Sequence, residues 1–193
     1  MSLDHSLIEQ WIKPKSRVLD LGCGDGTLLA ELRDKKKIEG LGIEIDEKGF
    51  LGCIQRGINV VQQDLDQGLK NFSNHSFDMV VMAQALQTLT YPHLVIDEML
   101  RVGRECIVTF PNFGHWYGRL YLNLTGRMPV SKYLPYTWYD TPNIHLCTVA
   151  DFDAFCAERN IRILRREFIG NHKGLTDFWP NLFAVSAVYH ITR

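Results

Sequence analysis

Apolar positions along the chain fall into two alternating rhythms. Residues 3–12 carry Leu3, Leu7, Ile8, Trp11 and Ile12 at helical spacing, and Pro14 ends that stretch. A short continuous apolar run follows at 17–21, then a glycine-rich loop and a helix reaching to about Lys36. The alternation continues with a strand at 38–46, a helix at 47–57 closed by Gly57, and a strand at 58–64. A strand at 77–83, a helix at 92–103 and a strand at 105–110 come next. After a long irregular stretch, 148–160 predicts another helix, with Thr148 and Asp151 at capping-box spacing. Residues 161–169 and 182–191 read as closing strands with no helix between them, which predicts an antiparallel hairpin at one edge.

Strands that are apolar on both faces and alternate with helices predict a parallel sheet covered on both sides. The expected fold is α/β and doubly wound, with seven strands, mostly parallel, in a single domain over 1–193. Composition agrees: 193 residues, 46% hydrophobic and 22% charged, are ordinary values for one globular unit with a real core. The net charge of −1 offers no bulk attraction to a phosphate backbone, and Lys35-Lys36-Lys37 reads as the solvated end of a helix. The five cysteines are odd in number, lack a CxxC pair and fall in apolar segments, as expected of reduced, packed thiols in the cytoplasm. No signal segment is seen, and no apolar run approaches the roughly 18 residues that cross a bilayer. Neither nucleic acid nor membrane is therefore an expected partner.

The candidate chemistry lies where the first strand turns into its helix, the place at which such sheets bind ligands. Gly22, Gly24 and Gly26 occur there at alternate positions, which allows unusual φ and close approach of a ligand to the backbone. A dinucleotide fingerprint would need its third glycine at position 27, and Thr27 stands there. Asp20 before the loop and Asp25 within it would repel a pyrophosphate and attract a cation. S-adenosylmethionine, with an ammonium and a sulfonium and no phosphate, fits that balance better than NAD. Glu44, at the end of the second strand, can accept from ribose hydroxyls in either case. Asp64 after the third strand can accept from an adenine amino group with Leu65 packed on the ring; alternatively it caps its own loop.

The segments VLDLGCGDGTLL, GIEID, QQDLD and FDMVVMAQALQTL resemble the successive motifs of class I S-adenosylmethionine-dependent methyltransferases. Within that superfamily the chain closely resembles the methionine biosynthesis protein MetW family. That likeness extends through CIQRGINVVQQDLDQGL and TFPNFGHWYGRLYLNLTGRMPVSKYLPYTWYDTPNIHLCT, the last being absent from generic methyltransferases. The resemblance implies a Rossmann-like class I methyltransferase fold, S-adenosylmethionine as cofactor with S-adenosylhomocysteine as product, and a homoserine O-acyltransferase as partner. By position, it implies that Asp20 faces the methionine ammonium and that Gly22, Cys23, Gly24 and Gly26 pass under the methionyl part. Glu44, followed by Ile45, would take ribose, Asp64 and Leu65 adenine, and Ala83 and Gln84 would line the site after the fourth strand. It supplies no methyl acceptor.

Transfer of an activated methyl needs alignment and exclusion of water, and a base only if the acceptor must lose a proton. Catalysis is thus neither required nor excluded. An Asn/Asp-Pro-Pro-aromatic motif after the fourth strand is missing, which argues against a nucleic-acid substrate, and no His/Cys/Glu cluster has metal spacing. The segment 111–147 is an insert rich in rings, including Phe113, Trp116, Tyr121, Tyr133, Tyr136, Trp138 and Tyr139. It reads as a lid over the cofactor with His115, Tyr117 or His145 as candidate base, as a docking surface, or as packing. Two functions remain open: an S-adenosylmethionine-binding accessory protein of methionine synthesis that acts with or regulates the acyltransferase, and a free-standing methyltransferase of a small molecule.

Overall fold

The computed structural model describes residues 3–131 and 134–193; Tyr133 of the insert lies outside them. Seven strands build one sheet: β1 (Arg17–Leu21), β2 (Glu39–Glu44), β3 (Asn59–Gln62), β4 (Phe77–Ala83), β5 (Gly103–Pro111), β6 (Arg162–Ile169) and β7 (Ser186–Thr192). Their spatial order is β3-β2-β1-β4-β5-β7-β6. The first five pair in parallel, while β7 runs antiparallel between β5 and β6. The order reverses between β1 and β4, and that switch point opens a crevice at the strands' carboxyl ends.

Alternation along each central strand feeds two apolar layers. Leu19, Leu21, Val80, Met82, Val108, Phe110 and Tyr189 point to one face, where α4 (Pro92–Val102) and α6 (Val149–Glu158) contribute Met99 and Phe152. Val18, Val81, Ile107 and Val188 point to the other, against Ile8 of α1 (Leu3–Trp11), Ile12 just after it, and Leu29 and Leu32 of α2 (Thr27–Lys36). Each such fully buried aliphatic side chain contributes about 1.5–3 kcal/mol relative to exposure. The third helix on this side of the order, α3 (Glu47–Gln55), begins at Asp46, whose carboxylate accepts from Gly49 N.

Three elements were not expected. The insert holds a helix, α5 (Trp116–Thr125), capped by His115 at its start and by Gly126 in the left-handed conformation at its end. The link between β6 and β7 carries α7 (Lys173–Phe178) and α8 (Pro180–Phe183), which corrects the expectation of no helix between the closing strands. Pro180 pre-sets the first turn of α8, so the apolar run 182–191 is helical at its start and becomes strand only at Ser186. The antiparallel edge pairing itself is present, with Phe168 opposite Ala187. The expected capping box is also formed: Thr148 Oγ1 and the Asp151 carboxylate satisfy each other's backbone N–H groups.

Candidate cofactor site

The glycine-rich turn after β1 is left-handed at all three glycines, with φ of 70° at Gly22, 55° at Gly24 and 76° at Gly26. Their reasons differ. A side chain at Gly22 would stand 3.0 Å from Ala85 Cβ across the crevice, whereas one at Gly24 would meet open space. At Gly26 a Cβ would fall 2.9 Å from Cys53 Sγ and 3.3 Å from Ile58. Gly26→Ala combines that collision with an unfavourable φ. A loss of about 2 kcal/mol, or roughly 4–8 °C in Tm, is expected in thermal unfolding.

Asp20 sits behind this turn and is 1% exposed. Its Oδ1 is buried without a hydrogen-bond partner among the described residues. Burial pushes its carboxyl up to about 7, and the nearby Glu44 carboxylate pushes in the same direction. A buried acceptor left unmatched beside a second carboxylate is the electrostatic complement of a cation.

Glu44 ends β2 and ties the site together. Its Oε2 accepts from Gly24 N at 2.7 Å, and its Oε1 from Ile45 N at 2.9 Å and Asp46 N at 2.8 Å. A carboxylate offers about four acceptor positions, so a ribose hydroxyl can join without displacing these bonds, while a pair of hydroxyls must share or replace one. Asp64 does cap its loop: its Oδ1 accepts from Asp66 N at 2.9 Å, starting the 3-10 turn Leu65–Gln67. No described residue donates to its other oxygen.

A cleft of about 410 Å³ lies over the switch point. Gly22, Glu44, Ile45, Asp64, Leu65, Ala83 and Gln84 all line it, joined by Asp66, Ala85 and Thr88. Asp20, Cys23, Gly24 and Gly26 do not. Cys23 is turned into the core, with its Sγ 3.6 Å from that of Cys53, and burial pushes both thiols up. Gln84 holds a left-handed φ of 57°. Its N donates to the Thr109 carbonyl (3.2 Å) and hydroxyl (3.0 Å), and its Nε2 to Asp4 Oδ2 (2.7 Å) and Ser186 Oγ (3.1 Å). That strained residue thus fastens the N-terminal helix to the end of β4.

Asp66 is a contributor that sequence reasoning missed. Its carboxylate accepts from Thr90 N and Tyr91 N, each at 3.0 Å, and joins the loop after β3 to the loop after β4 across the cleft. Burial opposes its charge, but these N–H donors outweigh that and hold the carboxyl below its usual range. Asn112 was missed too. It is 3% exposed, donates to Ala184 O and Asn181 O, and accepts from Gly114 N and Val149 N, which anchors the insert's first residues.

The three candidate bases do not converge. His115 Nδ1 accepts from Tyr117 N at 3.3 Å as the cap of α5, and burial lowers its pKa. These two residues share a small cavity with Pro129 and Leu134. His145 lies elsewhere, with Nε2 3.3 Å from Thr90 O. None of them lines the cofactor cleft, nor does any described residue of 111–147. The insert turns rings outward instead: Trp138 is 75% and Tyr139 73% exposed. Its far end hangs on Gln87, whose carbonyl accepts from Ile144 N at 2.8 Å and His145 N at 3.0 Å.

The fold is shared with solved methyltransferases. A S-adenosylmethionine-dependent methyltransferase from Mesorhizobium loti superposes with a TM-score of 0.72 over 97% of this chain and 96% of that one, at 16% identity. One from Archaeoglobus fulgidus gives 0.69 over 98% and 94%, also at 16% identity. The [4+2]-cyclase SpnF gives 0.68 over 98% and 80% at 15% identity, so the fold is not confined to one reaction. In sequence, the bifunctional methionine biosynthesis protein MetXA/MetW of Rhodopirellula baltica is 34% identical over 205 residues. That match takes in 100% of this chain and 33% of the relative, so the chain spans about a third of that protein's length. The model of the family described as methionine biosynthesis protein MetW matches residues 2–191. The chain belongs to the MetW family of methionine biosynthesis proteins.

Proposed function

We propose that the protein binds S-adenosylmethionine in the cleft at the switch point and, in the cytoplasm, regulates a homoserine O-acyltransferase with which it associates. The observation that carries the cofactor reading is Asp20, a buried carboxyl with an unmatched oxygen directly behind the glycine turn. The ammonium of the cofactor would answer that oxygen, the turn at 22–26 would pass beneath the methionyl part, and Glu44 would accept from ribose. Asp64 would hold the adenine amino group through the oxygen not used in capping, with Leu65 against the ring. S-adenosylhomocysteine, lacking the sulfonium charge, would occupy the same contacts.

The partner reading is supported by a relative whose name joins MetXA to MetW in one chain, and by the outward rings of the insert. An effector shifts a complex only by its differential affinity for two states. Titration calorimetry of S-adenosylmethionine, with and without the acyltransferase, tests both halves. An affinity that changes with the partner is the expected result; binding indifferent to the partner removes the regulatory half, and no binding removes both. Trp138→Ala with Tyr139→Ala is expected to weaken the association at least tenfold while leaving S-adenosylmethionine affinity unchanged.

Free-standing methyl transfer to a small molecule is the second reading. It rests on a cleft that no described ring of the insert lines, since transfer from a sulfonium needs only an aligned acceptor.

A further inference from the structure

A second cavity, of about 360 Å³, opens on the other side of the 3-10 turn Leu86–Thr88. Thr88 and Leu89 face the cofactor cleft, whereas Leu86 and Gln87 face this cavity, so one turn of chain forms the wall between them. The start of α4, the insert's last residues and α6 close the other sides, and Ile96, Leu146, Phe152 and Phe155 make the lining largely apolar.

His93, His145, Asp151 and Gln87 are the polar residues of the lining, and of these Gln87 carries the buried unmatched group. Gln87 is 7% exposed, and its Nε2 donates to Gln84 O at 2.7 Å. Its Oε1 is buried with no donor among the described residues. Turning the amide over would set oxygen against the Gln84 carbonyl, two acceptors face to face, so the orientation is fixed by its neighbour. The backbone of the same residue is held by Ile144 and His145 through its carbonyl. A rigidly placed acceptor left unmatched is costly in a folded protein, and a largely apolar recess with a few placed polar groups is the pattern of a small-molecule site.

We propose that this cavity binds a small uncharged molecule with an apolar body of ring size and a single N–H or O–H donor directed at Gln87 Oε1. A charged ligand is disfavoured by the largely apolar lining, whose one carboxylate, Asp151, is already engaged by Thr148 in the capping box. The wall at Leu86–Thr88 places this occupant apart from the cofactor cleft, and the inference does not depend on what fills that cleft.

Indole and 1-methylindole serve as probes, because they share a body and differ in the donor. Each is titrated into the full chain with methyl-labelled Ile and Leu, and the Ile96 and Leu146 signals are followed by NMR. Saturable shifts with indole and at least tenfold weaker binding of 1-methylindole are expected. Gln87→Leu should erase that preference. Leu146→Trp, at a position 45% exposed and therefore tolerant of bulk, should fill the cavity and abolish indole binding. Equal affinity for the two probes, or no saturable shift at these methyls, overturns the proposal. Indole binding in a sample that fails to bind S-adenosylmethionine would sustain it while removing the cofactor reading.

Discussion

Asp20→Asn is expected to weaken S-adenosylmethionine binding at least thirtyfold and, in the ligand-free protein, to raise thermal stability above pH 7. The two effects share one cause. A buried carboxylate facing an ammonium contributes about 2–5 kcal/mol when one partner is removed, which is roughly thirtyfold to several thousandfold in affinity. Without the ligand, the same carboxyl is a liability. It ionises near 3.8 in an ordinary setting, but burial and Glu44 push it up to about 7. Between those values the folded protein keeps a proton that the unfolded chain has released, so stability falls as pH rises, by about 1.4 kcal/mol per pH unit. The loss is complete above the folded value, and an amide avoids it. The wild-type protein should in turn bind the cofactor best above pH 7 and lose up to about tenfold in affinity per unit below it, because the cation requires the ionised form. Calorimetry and thermal unfolding at pH 6 and pH 8 measure both effects. Unchanged affinity in the variant would remove Asp20 from the site.

The parts of the site that strand ends position are legible in the amino-acid sequence. A strand in such a sheet is a short apolar run, so its end can be placed to within about two residues: the strands expected at 38–46 and 58–64 end at Glu44 and Gln62. Glu44 and Ala83 close β2 and β4, while Gly22 follows β1 and Asp64 follows β3 by a residue. Seven of the residues so chosen line the cleft. Contacts made between loops were not legible. Asp66 meets Thr90 and Tyr91 only because the chain crosses the sheet between them, and nothing local to Asp66 distinguishes it from a loop cap. The helix α5 was hidden for a different reason: Arg119 and Asn123, four apart, do mark a polar face, but the segment lies in a ring-rich, proline-bounded stretch that reads as one irregular insert, and none of its residues is buried. The helices α7 and α8 are too short to display a period at all. His115, Tyr117 and His145 illustrate the limit on catalysis. Single polar residues in a ring-rich loop carry no geometry, and folding keeps His115 and Tyr117 together at the start of α5, sends His145 elsewhere and brings none of them to the cleft.

Glu44→Gln should cost more than a ribose contact. The substitution keeps the side chain's shape, and Oε1 can still accept from Ile45 N and Asp46 N. The group facing Gly24 N becomes an amide NH2, however, and places donor against donor where a 2.7 Å bond had held the glycine turn to the end of β2. A hydrogen bond to a charged group contributes about 1.5–3 kcal/mol, so a fall of roughly 3–12 °C in the Tm of the ligand-free protein is expected. Affinity for S-adenosylmethionine should drop about tenfold to a hundredfold, since the turn under the methionyl part and the ribose acceptor are disturbed together. A role confined to ribose would lower affinity and leave the ligand-free Tm in place. The pH profile supplies an independent check. Glu44 is one of the groups that raise Asp20, and removing its charge lets Asp20 ionise at lower pH. The midpoint of the pH-dependent binding should therefore move below about 7 in the variant, even as the affinity itself declines. A midpoint that stays in place would mean that burial alone sets the ionisation of Asp20, and that the two carboxylates act on the cofactor independently.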